Sequence, residues 1–274
     1  MRINISIGVL YCSLSRRRLW TPAEINAALW LDADDAGTIT QSGGLVSQWR
    51  DKSGNGYHAA QGTAVSQPTY VVDGFNERPS VRFSQHFLLQ STARFSLIER
   101  SIFVVVNETT AGANVGILSL LPPIGPNSDF SREDAVAVEA GNTLSQQVVF
   151  IGSTGASYTL NPSLGSGIAS GIYGEVKSAG TGTIFVNGLN SFTDSAFTEF
   201  SALSGGGYIL GTRWISGAPS PSFVFKGDVA EVVVVGSALS LETRQKLEGY
   251  LAHKWGLTAN LPATHPYKTA RPRA

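Results

Sequence analysis

The sequence is poor in several features that define common protein classes. Cys12 is the only cysteine among 274 residues, so no disulfide can form within the chain and too few thiols are present for a zinc site. The 20 lysines and arginines equal the 20 aspartates and glutamates in number. Because nucleic acids and anionic membranes attract proteins through an excess of basic residues, we expect neither partner. No apolar run approaches the roughly 18 to 20 residues of a spanning helix, so we expect no membrane insertion.

Charged residues are also scarce, whereas glycine is abundant. The chain has 30 glycines and 15% charged residues, which favours many short strands joined by tight turns over a helical or disordered protein. Its length suits one large all-β domain with a sizeable core. We therefore predict a single domain over residues 20–268, preceded by an arm over 1–19 and followed by a tail over 269–274.

The strongest local pattern lies between Phe223 and Leu257. Apolar residues first alternate and then merge into Val232 to Val235, which predicts a buried strand. After this strand the spacing becomes helical, and Ser240 is well placed to cap the first turn. The predicted apolar stripe of the helix consists of Leu247, Tyr250, Leu251 and Trp255, and Gly256 follows as a terminator. Because little else has helical spacing, we expect this helix to pack on a β-sheet.

Several other segments have strand character. They are Ala28 to Leu31, Leu45 to Trp49, Pro79 to Phe83, Ser101 to Asn107, Gly182 to Val186 and Gly207 to Arg213. The segment from Ser101 to Asn107 is apolar on both faces, which is typical of the centre of a sheet. Asn187-Gly188 supplies both positive φ angles of a tight hairpin turn. Between Ala111 and Ser170 we expect short strands separated by long loops.

Taken in order, these segments resemble the concanavalin A-like lectin/glucanase superfamily, specifically a laminin-G-like jelly roll. The resemblance covers about residues 20–268. It rests on Leu29-Trp30-Leu31-Asp32-Ala33, the loop from Trp49 to Gly56, the hairpin Phe185-Val186-Asn187-Gly188, and the strand from Lys226 to Val232. It implies an all-β, two-sheet antiparallel jelly-roll sandwich with one C-terminal helix. The ending from Tyr250 to Tyr267 resembles a subgroup found in bacteriophage virion proteins and bacterial surface proteins.

The resemblance raises the question of glycoside hydrolysis, because the superfamily contains glucanases. Glucanases resemble one another in a strand with carboxylates at alternate positions, which point into one cleft as nucleophile and acid. Asp228 and Glu231 are three residues apart on a predicted strand, which sends them to opposite faces. We therefore predict that the chain is not an enzyme and has no catalytic residues, and that Glu231 is a structural acid at a sheet edge or an arginine partner.

Calcium is a candidate cofactor, because Asp, Asn and carbonyl oxygens in glycine-containing loops suit this ion. The acidic turn Asp32, Asp34 and Asp35 and the loop residues Asp51 and Asn55 could converge at one rim of the sandwich. The candidate metal ligands are Asp32, Asp51 and Asn55. In the alternative interpretation, Asp51 and Asn55 form Asx-turns with their own backbone and Asp34-Asp35 is a solvated turn.

A glycan is a candidate ligand, because aromatic side chains stack on sugar rings. Trp214 lies beside a loop of Gly, Pro and Ser, where we expect it to be exposed. The candidate ligand-binding residues are Trp214, Tyr57 and Asn55, whereas Trp30, Trp49 and Trp255 occupy predicted core positions. The four histidines, His58, His86, His253 and His265, have no metal-ligand spacing and are expected to be structural.

Three functions fit these patterns. In the first, the chain is a non-enzymatic virion component, such as a capsid decoration or tail-fibre protein. In the second, it is a carbohydrate-binding module of a secreted or surface bacterial protein. In the third, it is a glycan hydrolase. The low cysteine content and the poor export signal favour the first, with synthesis in the host cytoplasm and a final location in the virion.

The N-terminal arm is the predicted attachment segment of such a virion protein. Its apolar residues Ile3, Ile5, Ile7 and Val9 alternate with small or polar ones, which is strand spacing. An extended segment of this kind can add to the sheet edge of another virion protein. The basic cluster Arg16 to Arg18 would face acidic groups of that partner or of a second subunit, so we expect an oligomer.

Overall fold

A computed structural model describes residues 18–90, 98–109, 115–120, 136–140, 147–151, 157–160, 170–178, 180–194 and 207–274. Most of the predicted N-terminal arm lies outside these residues. The strands are β1 (Ala27–Asp32), β2 (Ile39–Ser42), β3 (Leu45–Trp49), β4 (Ala59–Ala60), β5 (Thr69–Phe75), β6 (Arg78–Ser84), β7 (Leu88–Gln90), β8 (Arg100–Glu108), β9 (Val115–Leu120), β10 (Val136–Ala140), β11 (Gln147–Ile151), β12 (Ser157–Leu160), β13 (Gly171–Ser178), β14 (Thr181–Val186), β15 (Leu189–Asp194), β16 (Tyr208–Leu210), β17 (Trp214–Ile215), β18 (Ala218–Pro219) and β19 (Lys226–Val235). The helix α1 spans Leu241–Lys254, and short 3-10 turns occupy Pro22–Glu24, Ala36–Thr38, Ala64–Ser66 and Thr258–Asn260.

The strands pair antiparallel in two layers. The first layer has the order β15-β14-β13-β8-β19. On the edge of β19 that faces away from β8, β6 pairs with the first part of β19 and β1 pairs with the last part. β5 pairs with the other edge of β6. The second has the order β2-β3-β4-β7-β16-β9-β10-β11-β12. A single paired position, Leu45 with Thr69, joins β3 of one layer to β5 of the other. The predicted all-β, two-sheet antiparallel jelly-roll sandwich with one C-terminal helix is confirmed.

The core lies between the two layers. Val104 on β8 and Val232 on β19 belong to the same buried cluster as Trp49, Leu118 and Tyr208 of the second layer. Residues 101–106 of β8 and 227–235 of β19 are all buried, which is typical of central strands that are covered on both faces. The long apolar run of β19 is thereby explained.

Helix α1 covers the outer face of the first layer. Ser240 accepts a hydrogen bond from the Thr243 N–H at 3.2 Å and forms the predicted N-cap. Leu247, Leu251 and Trp255 are buried, as the apolar stripe predicts. None of the helical segments in the described ranges has the length and apolar character that crossing a membrane requires.

A β-bulge in β19 corrects one prediction. Asp228 pairs with Asn107 of β8, and Glu231 pairs with Val105, with a register shift between Val229 and Glu231. Because Asn107 and Val105 are two residues apart, they point to the same face, and so do Asp228 and Glu231. The prediction of opposite faces was wrong because the extra residue, Ala230, shifts the alternation of side chains.

The first and last described residues lie together. Leu19 forms an antiparallel bridge with Arg273, and the Trp20 N–H donates to the Pro272 carbonyl at 3.1 Å. Part of the predicted tail is therefore paired with the end of the predicted arm. The domain boundaries themselves stay predictions.

Candidate functional site

Trp214 is buried. It lies on β17 with 6% of its surface exposed and packs in a small cluster with Ile209, Phe87 and Leu89. The expectation of an exposed ring was wrong because the chain folds back as the β17–β18 ribbon, in which Trp214 pairs with Pro219. Burial of the ring leaves little surface on which a sugar could stack.

Asp51 organises the loop over residues 51–57. Its Oδ1 accepts from the N–H groups of Trp30 at 3.0 Å and Ser53 at 2.8 Å. Its Oδ2 accepts from the Ser53 hydroxyl at 2.7 Å and the Tyr57 N–H at 3.1 Å. The bond from the N–H two residues ahead is an Asx-turn. This alternative interpretation accounts for the carboxylate without a metal ion.

Asp32 is engaged by lysines. Its Oδ2 accepts from the Lys52 ammonium at 2.8 Å, and its Oδ1 accepts from the Lys254 ammonium and, at 3.1 Å, from the Asp34 N–H. The third candidate ligand, Asn55, donates its amide hydrogens to backbone carbonyls of β1. Within the described ranges, no three His, Cys, Asp or Glu side chains are arranged to hold a metal. Calcium binding therefore stays a prediction without structural support.

Glu231 is the centre of a buried polar cluster between α1 and the first layer. Its Oε1 accepts from Trp30 Nε1 at 2.7 Å and the Tyr250 hydroxyl at 3.2 Å. Its Oε2 accepts from Trp255 Nε1 at 2.7 Å and Lys254 Nζ at 2.9 Å. Burial raises the pKa of Glu231, although Lys254 opposes this shift. We call Glu231, Lys254 and the three aromatic residues, with Asp32 and Lys52 beside them, the helix seam.

The other acid of β19 is equally engaged. Arg82 donates to both oxygens of Asp228, from Nε at 2.9 Å and from Nη2 at 3.0 Å, and the Ser80 hydroxyl donates at 2.8 Å. Asp228 and Glu231 thus share a face but have separate partners. Glu231 does not lie at a sheet edge, because β19 pairs with β1 on one side and with β8 on the other. Its partners are a lysine, a tyrosine and two indoles. The predicted edge position and the predicted arginine partner were therefore wrong.

The histidines also have backbone or carboxylate partners. The Asp51 N–H donates to His58 Nδ1 at 3.1 Å, and His265 Nε2 donates to the buried Glu248 at 3.2 Å. His253 Nε2 donates to the Tyr267 carbonyl at 2.9 Å. These contacts fix loops and the C-terminal segment.

Two of the three predicted ligand-binding residues, Asn55 and Tyr57, line one open groove of about 550 Å³. The groove lies beside the start of β1 and the end of β19, and Asn26 forms part of its wall. A second depression, of about 410 Å³, shares Asn26 as a lining residue with this groove and is also lined by Trp30 and Lys52. We call the two together the Asn26 groove.

The polar groups of this groove differ from those of the helix seam. Asn26 is exposed, and within the described part of the chain its amide has no hydrogen-bond partner. Among the described residues, the side chain of Asn55 forms hydrogen bonds only through Nδ2, so its Oδ1 is available as an acceptor. Tyr57 is half-buried and packs on the core. Sequence reasoning missed Asn26, whose only signal is a polar residue between apolar ones before a strand.

No protein-family model matches this sequence, and a comparison with curated proteins finds no relative. Several solved structures have a similar fold. Domain 4 of AbnA, an extracellular arabinanase from Geobacillus stearothermophilus in complex with arabinotriose, is 14% identical with a TM-score of 0.52, over 78% of this chain and 94% of that domain. A Trypanosoma rangeli sialidase is 11% identical with a TM-score of 0.53, over 78% of this chain and 31% of its own. The sialidase carbohydrate-binding module CBM40 of Ruminococcus gnavus, bound to sialyllactose, is 16% identical with a TM-score of 0.45, over 60% of this chain and 92% of the module. At these identities, the two structures with TM-scores above 0.5 show a similarity of fold alone.

Proposed function

We propose that the chain is a carbohydrate-binding β-sandwich that holds a glycan in the Asn26 groove. The observation that supports this function is the meeting of Asn55, Tyr57 and Asn26 on one open surface. Asn55 and Tyr57 are two of the three ligand-binding residues that the sequence predicts. Asn26 adds a second amide beside that of Asn55.

The chemistry of the groove suits a hydroxyl-rich ligand. A volume of about 550 Å³ lies within the roughly 300 to 1,000 Å³ of ordinary small-molecule sites. Side-chain amides both donate and accept, as sugar hydroxyls do, and an aromatic ring provides an apolar contact for the C–H face of a sugar. None of the described side chains that line this part of the groove is charged. Glu24 and Lys52 line the second part, where Glu24 pairs with Arg18 and Lys52 pairs with two aspartates. A neutral glycan is therefore the best match.

We also propose that binding occurs without hydrolysis. Glycoside hydrolysis needs two carboxyl groups facing one sugar. Asp228 is held by Arg82 and Ser80, and Glu231 lies under α1 with four donors around it. Neither carboxyl group lines the Asn26 groove. Domain 4 of the AbnA arabinanase, which has a similar fold and is bound to arabinotriose, supports the proposal by analogy.

The wider setting of this glycan-binding domain stays a prediction. A virion location, attachment to other virion proteins and an oligomeric state all depend on the arm over residues 1–19. Residues 1–17 of that arm lie outside the described part of the chain. The same domain would serve equally as a module of a bacterial surface protein, because the groove belongs to the sandwich and not to the arm.

The test is a glycan array probed with the full chain, followed by calorimetric titration of the strongest binder. Asn26→Ala should weaken binding about tenfold, since a lost hydrogen bond is worth about 1 kcal/mol or more, and should leave stability unchanged. The matched control is Asn190→Ala, at an exposed asparagine that lines neither part of the groove. A chain that binds no glycan on the array, or equal weakening by both variants, would overturn the proposal.

A further inference from the structure

A second cleft, of about 240 Å³, lies where the ends of the described chain meet α1. Trp20 and Thr21 contribute from the N-terminal side, Tyr250 and His253 from the helix, and Arg271 from the C-terminal segment. The cleft shares no lining residue with the Asn26 groove. Its chemistry is also different, because charged and aromatic side chains line it together.

Two aromatic rings form a rigid wall of this cleft. The rings of Trp20 and Tyr250 meet edge to face, with centroids 6.2 Å apart. Tyr250 is fixed at its other end, because its hydroxyl donates to the buried Glu231. Trp20 is fixed by its backbone bond to Pro272. Trp20 is only 5% exposed, so Tyr250, which is half-buried, is the ring that can contact the carbon skeleton of a small ligand, and Trp20 supports it from behind.

The charges of the cleft leave one cation without a partner. Arg78 pairs with Asp34 at 3.1 Å. The charge of Lys254 is offset by the buried carboxylates of Asp32 and Glu231. Arg271 is exposed, and within the described residues it has neither an acidic partner nor a hydrogen bond from its side chain.

His253 adds a polar group beside this free guanidinium. Its Nε2 donates to the Tyr267 carbonyl, so this nitrogen carries the hydrogen. Its Nδ1 has no partner among the described residues. Among the described residues, the cleft thus combines one unpaired guanidinium, a histidine and an aromatic wall. Its volume of about 240 Å³ lies below the roughly 300 to 1,000 Å³ of drug-sized sites, which limits it to a small ligand.

We propose that this cleft binds the carboxylate of a small organic ligand, with Arg271 as the ion-pair partner and the ring of Tyr250 in contact with the carbon skeleton. A guanidinium matches a carboxylate with two parallel hydrogen bonds. One unpaired cation matches a monoanion better than a doubly charged phosphate. Both sugar acids and other organic acids present this group, and the experiment distinguishes them. The site is independent of the proposed glycan groove.

The test is calorimetric titration of the full chain with two matched pairs of probes. The first pair is D-glucuronate and D-glucose, and the second is hippurate and its neutral amide. The acid of at least one pair should bind at least tenfold more tightly than its neutral counterpart. That advantage should shrink with added salt, because the guanidinium is exposed. The pair with the larger acid preference identifies the source of the carboxylate.

Variants separate the cleft from the groove. Arg271→Gln should weaken binding of the acid about tenfold without changing the circular dichroism spectrum. The matched control is Arg50→Gln, at an exposed arginine outside the cleft, and Asn26→Ala should also leave acid binding unchanged. The proposal is overturned if no acid binds at millimolar concentration, if acids and neutral probes bind alike, or if Arg271→Gln and Arg50→Gln have the same effect.

Discussion

The helix seam and the Asn26 groove are both rich in polar side chains, but they differ in where their hydrogen bonds go. In the seam, Glu231 receives four donors and Asp32 receives two lysines, all from within the chain. In the groove, the Asn26 amide and the Asn55 Oδ1 have no partners within the described residues. The seam has the charge and the perturbed pKa values, whereas the groove has the free hydrogen-bonding capacity.

This difference shows how a structural cluster and a binding surface can be told apart. A buried carboxylate needs partners because desolvation of an unpaired charge costs several kcal/mol. The partners of Glu231 come from α1 and β1, so the cluster also fixes the position of the helix. A binding surface must keep donors and acceptors available to a ligand. The groove meets this condition and the seam does not, so mutations in the two regions should separate stability from binding.

The largest expected effect is that of Trp255→Ala in the seam. The substitution removes a buried ring that contacts Phe75 edge to face and an indole N–H that donates to Glu231. The free energy of unfolding should fall by about 3 to 5 kcal/mol. Urea unfolding followed by circular dichroism measures it, with Trp255→Phe as a milder variant that keeps an aromatic ring. An unchanged unfolding midpoint would show that α1 does not stabilise the sheet through this contact.

Lys254→Met should have the next largest effect. It leaves Glu231 and Asp32 without a shared cation, and breaking a buried ion pair in this way costs about 3 kcal/mol. The matched control is Lys246→Met on the same helix, whose ammonium pairs with the exposed Glu242; this change should have no measurable effect on urea unfolding. Equal effects of the two substitutions would remove the distinction between seam and surface charge.

Asp51→Ala tests the loop that borders the groove. The change removes the acceptor of the Trp30, Ser53 and Tyr57 N–H groups. Because a buried donor left unsatisfied costs about 1 to 3 kcal/mol, the free energy of unfolding should fall by about that amount. The wild-type protein should melt at the same temperature in EDTA and in added calcium. A rise in melting temperature with calcium that Asp51→Ala abolishes would support the metal interpretation over the Asx-turn.

The smallest expected effect is a change in pH dependence. Burial raises the pKa of Glu231 above its ordinary value of 4.5, so the folded protein binds this proton more tightly than the unfolded chain. The contribution of Glu231 to stability is therefore fully present below pH 4.5 and is lost as the pH rises through the raised pKa. Relative to Glu231→Gln, the wild type should become less stable from pH 4 to pH 8 in urea titrations. A relative gain over that range would mean that the pKa is lowered.

Much of the fold could be predicted because its signals are local. The run Val232 to Val235 and the cap at Ser240 each determine their own element through burial and hydrogen bonding. The core positions of Trp30, Trp49 and Trp255 likewise follow from their places in apolar strands and in the helical stripe.

The remaining features depend on contacts between distant segments. The bulge at Ala230 follows from the different partners of β19, with β1 and β6 on one edge and β8 on the other. Burial of Trp214 depends on a ribbon of two strands that are only two residues long, too short to give a strand pattern in the sequence. Asn26 becomes a candidate binding residue only because β1 brings it beside the loop that contains Asn55 and Tyr57.

The most direct test of the central claim is one nitrogen–proton correlation spectrum, recorded with and without the glycan that binds most strongly on the array. The side-chain amides of Asn26 and Asn55 report on the groove, and the indole N–H of Trp255, which lines neither part of the groove, reports on the seam through its bond to Glu231. We expect the amide signals to shift and the Trp255 indole signal to stay in place. A shift of the Trp255 indole signal with unchanged amide signals would contradict the separation of binding surface and seam.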